Sequence, residues 1–131
     1  MEYKFLDNLK YTKTHEWVKI EDNVAIAGIT DYAQHQLGDV VFIELPDKGT
    51  KIEKDGAVGE IESVKAVGEI FMPLSGEILE TNQNLIDNPE LLNTSPYNDG
   101  WIIRIKISNP DEIKNLLSVD DYKDLVKSEE K

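Results

Sequence analysis

The amino-acid sequence predicts a mainly β domain, a compact sandwich or flattened β-barrel, with short helices and a C-terminal helical segment. Three observations predict it. Short runs rich in β-branched and aromatic residues recur between turn signals, glycine recurs inside those runs, and helix-starting patterns gather at the end of the chain. The chain has 131 residues, enough for one domain over 1–131 that buries roughly two-thirds of its unfolded surface without disulfides or metals.

His15 to Ile20 reads as the first strand, the turn Glu21-Asp22-Asn23 follows, and Val24 to Ile29 is the second. Thr30 is placed to cap a helix over Asp31 to Leu37, which Gly38 stops. Asp39 to Leu45 is a strand ended by Pro46-Asp47-Lys48-Gly49, and Ile52 starts a short edge segment before Asp55-Gly56. A central pair follows, Ala57 to Ser63 and Ala66 to Met72, closed by Pro73-Leu74-Ser75-Gly76. Gly-Glu-Ile occurs at Gly59, Gly68 and Gly76, and glycine at such positions marks bulges or close backbone approaches. After the turn Ser95 to Gly100, Trp101 to Ile107 is the last strand. Asn109-Pro110-Asp111-Glu112 and Ser118-Val119-Asp120-Asp121 are helix starts, the second leading into Tyr122 to Val126, and residues 127–131 are expected to fray.

Charge narrows the function classes. Asp and Glu number 26 against 14 Lys and Arg, for a net charge of −12. Such a surface repels phosphate backbones and anionic lipid, which argues against nucleic-acid and membrane partners. It favours solubility, and it steers the chain toward partners with basic docking faces. Cysteine is absent, which removes disulfides and thiolate metal sites. The first residues carry neither a secretory signal pattern nor an Arg-rich transit pattern, and no apolar run approaches the roughly 20 residues of a membrane span. The expectation is a soluble, cytoplasmic protein. No nucleophile–base pairing, phosphate loop or metal spacing stands out, so an enzyme is not expected. His15 and His35 read as structural hydrogen-bonding residues, and Trp17, Trp101 and Phe42 as core.

Lys65 is the place where chemistry can be mounted. It stands in Glu62-Ser63-Val64-Lys65-Ala66 between two strand-like runs, at the crest of a predicted β-hairpin. The crest lacks the Asn-Gly or Asp-Gly of a two-residue turn, but a four-residue loop over Ser63 to Ala66 needs neither. A lysine amine in water at pH 7 is unprotonated in roughly one molecule in a few thousand. Acylation there requires an enzyme that brings an activated acyl group and recognises the turn by shape. On residue types alone, a solvated turn lysine remains the simpler reading.

Longer words along the chain bear on that choice. Tyr11-Thr12-Lys13-Thr14-His15-Glu16-Trp17, Gly28 to Gln34, Leu37 to Pro46, Glu62 to Ala66, Pro73 to Gly76 and Ser95 to Trp101 stand in one order. Together, from about Leu9 to Val126, they resemble the H proteins of the glycine cleavage system. Biotin carriers place Met-Lys-Met at the anchor, and lipoyl domains of 2-oxo acid dehydrogenases usually place Asp-Lys there; this chain has neither.

The resemblance implies a non-catalytic carrier, a flattened β-barrel or hybrid barrel-sandwich of two similar halves of the lipoyl-biotinyl carrier type, with lipoic acid joined covalently to Lys65. In such systems a pyridoxal-phosphate glycine decarboxylase (P protein) leaves an aminomethyl group on the arm. A folate-dependent aminomethyltransferase (T protein) takes the one-carbon unit and releases ammonia, and dihydrolipoyl dehydrogenase (L protein) reoxidises the dithiol. Lipoate ligase, or octanoyltransferase with lipoyl synthase, would install the group. A monomer suits a shuttle that visits several active sites. Burying half of the arm's roughly eight methylenes gives about 3 kcal/mol, enough to hold it yet let a partner extract it. By resemblance, Thr14, Glu16 and Glu69 meet the charged end of the loaded arm. Glu69 departs from the plant form of the family, which has the shorter aspartate there. Gln36 stands where some relatives have histidine, so a histidine contact does not carry over. Glu62 is assigned to recognition by the lipoylating enzyme. Two other readings stay open, a relay of octanoyl or lipoyl groups to other lipoyl proteins and an unmodified acidic interaction module.

Overall fold

The computed structural model describes residues 2–130, and the strand-rich pattern is realised as two antiparallel sheets over a shared core. The strands are β1 (Lys10–Tyr11), β2 (Glu16–Glu21), β3 (Val24–Ile29), β4 (Val40–Glu44), β5 (Lys51–Ile52), β6 (Ala57–Ser63), β7 (Val67–Phe71), β8 (Gly76–Thr81) and β9 (Ile103–Ile107). The helices are α1 (Asp31–Leu37), α2 (Asn84–Asp87), α3 (Leu91–Thr94) and α4 (Val119–Glu129), with a 3-10 helix over Pro110–Asn115.

The larger sheet runs β1-β2-β3-β9-β8-β5 and the smaller β4-β6-β7. The sandwich half of the expected architecture is therefore present, without closure into a barrel. The β2–β3 hairpin pairs with β9 through Val24 to Ala27, which widens one sheet to six strands against three.

Alternation explains the core. Ile43 and Ile61, paired across β4 and β6, are both buried, and they meet Ile70, Met72, Leu74, Ile78, Ile103 and Ile105 from the other strands. A second cluster, Tyr11, Trp17, Tyr32, Tyr122 and Val126, fixes α4 against β1 and α1. Two glycines permit close backbone crossings. A Cβ at Gly59 would collide with the Glu44 carbonyl oxygen, and one at Gly76 with that of Lys106. Gly59 also lies at a register shift in the β6–β7 ladder, as glycine inside a strand suggests.

Local signals set the helix ends. Thr30 Oγ1 accepts from Ala33 N at 3.2 Å, and Gly38, at φ 81°, donates its N–H to Gln34 O at 3.0 Å. Ser118 Oγ accepts from Asp121 N at 3.2 Å and starts α4. The helix start at Asn109 yields only the 3-10 helix, and α4 runs through Glu129, so residues 127–129 are helical where fraying is expected. Burial of Tyr122 and Val126 holds the helix down to its end. Lys131 lies outside the described residues. Strand β1 and helices α2 and α3 carry no periodic signal, because two to four residues are too few to show a period. No helix among the described residues is long and apolar enough to cross a membrane.

Candidate functional site

The β6–β7 hairpin closes at the pair Glu62↔Val67, leaving Ser63 to Ala66 as the crest. Ser63 organises it. Its N–H donates to Ala66 O at 2.8 Å, and its Oγ accepts from Ala66 N at 3.0 Å and Lys65 N at 3.3 Å. One hydroxyl thus supplies the acceptor that a turn carbonyl would otherwise provide. Neither Val64 nor Lys65 has a positive φ, which is why Asn-Gly is not needed. Val64 N–H donates to Asp39 O at 3.0 Å and ties the crest to the connection after α1. The Lys65 side chain is exposed, and its stem lies over Gly38; a Cβ there would sit 3.0 Å from Lys65 Cε. Among the described residues no carboxylate stands within ion-pair distance of its amine.

Beside the hairpin runs a groove of about 300 Å3. Helix α1 supplies one wall with Ala33, Gln36 and Leu37, strands β6 and β7 the other with Ile61, Gly68 and Glu69, and Glu129 of α4 contributes at its rim. Leu37 packs on Gly68, where a Cβ would be 3.0 Å away. Apolar walls with a few carboxylates suit a long aliphatic chain with a cationic end.

Glu16 is the polar anchor of this groove. The β1–β2 hairpin is closed by Lys13-Thr14-His15, with Thr12 N–H donating to Glu16 O at 3.0 Å and His15 in the left-handed region at φ 71°. That geometry points Glu16 inward, where it is only 2% exposed. Thr12 and Thr14 donate their hydroxyls to Glu16 Oε1, and Phe71 N–H, from the free edge of β7, donates to Oε2 at 3.4 Å. Burial outweighs these bonds and pushes the carboxyl up to about 7 from its ordinary 4.5. The groove therefore holds a carboxyl that keeps its proton to higher pH than an exposed one, and an arriving cation would draw it to the charged form.

Of the residues singled out from the sequence, Thr14, Glu16, Glu69 and Gln36 line one groove. Lys65 stands at the crest beside it, and Glu62 lies apart, on the outward face of the small sheet. Thr12 was not singled out, because the run Thr12-Lys13-Thr14-His15-Glu16 is polar throughout and shows no alternation that marks the side chains facing Glu16. Glu129 has no local signal; only the docking of α4 brings it in. His15 also lines the groove, with Nδ1 bonding Tyr122 Oη at 2.9 Å and Nε2 bonding Glu129 Oε1 at 2.9 Å, so both ring nitrogens are engaged in holding α4. His35 sits 3.5 Å from Asp31, one turn back along α1. Trp17 is buried as expected and Trp101 half-buried, but Phe42 is a correction. It is 49% exposed, because a register shift between Val40 and Phe42 turns its side chain outward.

Comparison with known proteins places this geometry in a family. The sequence pattern described as Glycine cleavage H-protein matches residues 9–129. The glycine cleavage system H protein of Staphylococcus epidermidis is 49% identical over 117 residues, 89% of this chain and 93% of that protein. A probable glycine cleavage system H protein of Aeropyrum pernix is 48% identical over 120 residues, covering 92% and 84%. The crystal structure of a glycine cleavage system H protein from Mycobacterium marinum superposes with a TM-score of 0.81 at 32% identity, covering 90% of this chain and 95% of the other. With a lysine-tipped hairpin, an adjoining groove and these matches together, the chain belongs to the glycine cleavage H-protein family, the non-catalytic lipoyl carriers of the glycine cleavage system.

Proposed function

We propose that this chain, as a single domain, carries lipoic acid on Lys65 and moves aminomethyl groups from glycine decarboxylase to the aminomethyltransferase and electrons to dihydrolipoyl dehydrogenase. The observation that carries the reading is a solvent-facing lysine on a hydroxyl-braced hairpin, its stem directed over Gly38 beside a groove with a buried carboxyl. Once attached, the group supplies a disulfide that accepts the aminomethyl fragment and an electron pair.

Lys65 provides the attachment. Its deprotonated Nζ attacks the carbonyl carbon of an enzyme-held acyl adenylate, the N–C bond forms, adenylate leaves, and the amine proton passes to solvent. Lipoate ligase would act this way; an octanoyltransferase followed by lipoyl synthase is the other route. Glu62, three residues before the lysine, helps the modifying enzyme select it. The Lys65 stem lies over Gly38, next to Leu37 of the groove wall, and Ala33, Leu37 and Ile61 would shield an arm laid there from water. Glu16 receives the cationic end, its charge held by the Thr12 and Thr14 hydroxyls, and Glu69 adds a second carboxylate at the edge. A monomer serves this task, since the crest must enter several active sites.

Intact-mass analysis with peptide mapping, on protein made in cells supplied with lipoate, tests the reading. Wild type should gain one lipoyl increment on the peptide holding Lys65. Lys65→Arg, which keeps the charge but loses the acylatable amine, should gain none and support no glycine-dependent one-carbon production. An unmodified wild type, or an increment on another lysine, overturns it.

A further inference from the structure

The outward face of the small sheet pairs apolar exposure with uncompensated acid. In β4 the ladder runs Val40↔Ser63 and then Phe42↔Glu62, so one extra residue is inserted at Val41. Val40 is buried, and strict alternation would bury Phe42 as well. The bulge reverses the phase, burying Ile43 to 1% and leaving Phe42 in solvent. The bulge adds Ile43 to the core, while the exposure of Phe42 that comes with it adds no burial within the monomer. Five large hydrophobics are markedly exposed among the described residues, and four surround this hairpin: Val41 at 54%, Phe42 at 49%, Val64 at 70% and Val67 at 64%.

Pairing orders them into rows, because residues directly opposite in antiparallel strands share a face. Phe42, Glu62 and Val67 form the row nearest the crest, and Glu44, Glu60 and Glu69 the next. Like charges directly opposite destabilise a sheet. Among the described residues none of these four glutamates is in an ion pair. A basic surface laid on the face would relieve that repulsion. On this hairpin the arm groove is walled by Ile61 and Gly68, which alternate to the opposite face, and Glu69 on the β7 edge borders both, so a partner seated on Phe42, Val67, Glu44 and Glu60 leaves the groove free.

We propose that this face, Phe42 and Val67 with Val64 at the crest and Glu44 and Glu60 behind them, is the docking surface for the enzyme that acylates Lys65. That enzyme would present an apolar patch ringed by Lys and Arg. The inference rests on Lys65 being the modified residue. It selects the acylating enzyme over later partners because those can read the lipoyl group itself. The acylating enzyme meets a bare amine, one of thirteen lysines, and only the surroundings distinguish it. Phe42 and Val67 supply the desolvated centre and the glutamate row supplies orientation and encounter rate.

The test is acylation of the purified, unmodified chain by a lipoate–protein ligase with ATP and octanoate, followed by intact mass. Phe42→Ser combined with Val67→Ser should lower kcat/KM about tenfold or more. Glu44→Lys combined with Glu60→Lys leaves the apolar row intact and should lower it comparably, with the loss shrinking at high salt. Asp124→Lys, an equal charge change per site on the exposed side of α4, should leave it unchanged. Thermal unfolding of each variant separates lost docking from lost fold, and the charge-reversed pair carries the test if the serine pair unfolds. Acylation of both face variants at the wild-type rate overturns the inference, including the case where only aminomethyl transfer falls and the face serves a later partner. Absence of any acyl increment on wild-type Lys65 overturns the modification reading, and this one with it.

Discussion

Glu16 shows how a single buried carboxyl links the groove to the stability of the fold. Its folded value of about 7 lies above the ordinary 4.5, so the folded chain holds this proton more tightly than the unfolded chain does. The folded state is therefore favoured at low pH by this group, and that advantage is lost as pH rises from about 4.5 through about 7, with no further change above. At about 1.4 kcal/mol per unit, the loss is about 3 kcal/mol. Denaturant unfolding of wild type and Glu16→Gln at pH 5 and pH 8 should show the variant gaining relative stability by about that amount at pH 8. Equal pH dependence in the two proteins would remove the buried carboxyl as the cause. The same substitution should weaken retention of an aminomethyl-loaded arm, since no charge remains to meet the amine. The unbroken polar run from Thr12 to Glu16 is readable in the chain, but the burial of Glu16 is not. That depends on the left-handed His15 closing the loop and on Phe71 arriving from another sheet.

Secondary-structure elements carry the crest to its position. The hairpin leans on β4 through the crossing at Gly59, where an added methyl would meet the Glu44 carbonyl oxygen. Gly59→Ala should destabilise the protein by about 2–3 kcal/mol, because backbone rather than a flexible side chain must move. Amide exchange should rise in β4, β6 and β7 before it rises in β8 and β9. Unchanged stability would mean the strands can part there without cost. Both hairpin strands were legible in the chain, the first with its ends at Ala57 and Ser63 as expected and the second one residue shorter at each end than Ala66 to Met72. The bulge at Val41 was not legible, since an inserted residue shows only against the partner strand. That is why Phe42 reads as core in the chain and stands in solvent in the fold.

Across the whole molecule, a net charge of −12 acts through its distribution. Four glutamates on the hairpin face and Glu129 at the groove rim concentrate negative potential around the lysine crest. Attraction to a basic partner is then screened by salt, so kcat/KM for acylation should fall several-fold between about 0.02 M and 0.5 M ionic strength, with kcat little changed. A rate indifferent to salt would limit the charge to solubility. Length, absence of cysteine, strand alternation, helix caps at Thr30 and Ser118 and the lysine between two strands are all properties of the sequence itself, because each depends on neighbours a few residues away. Three features belong to the tertiary structure alone: the unequal sheets, the arrival of Glu129 beside His15 through Tyr122, and the opposed faces that put groove and Phe42 on different sides of one hairpin. Each depends on how distant segments meet, and pairing register and helix docking are set by packing free energy summed over the whole core rather than by local preference.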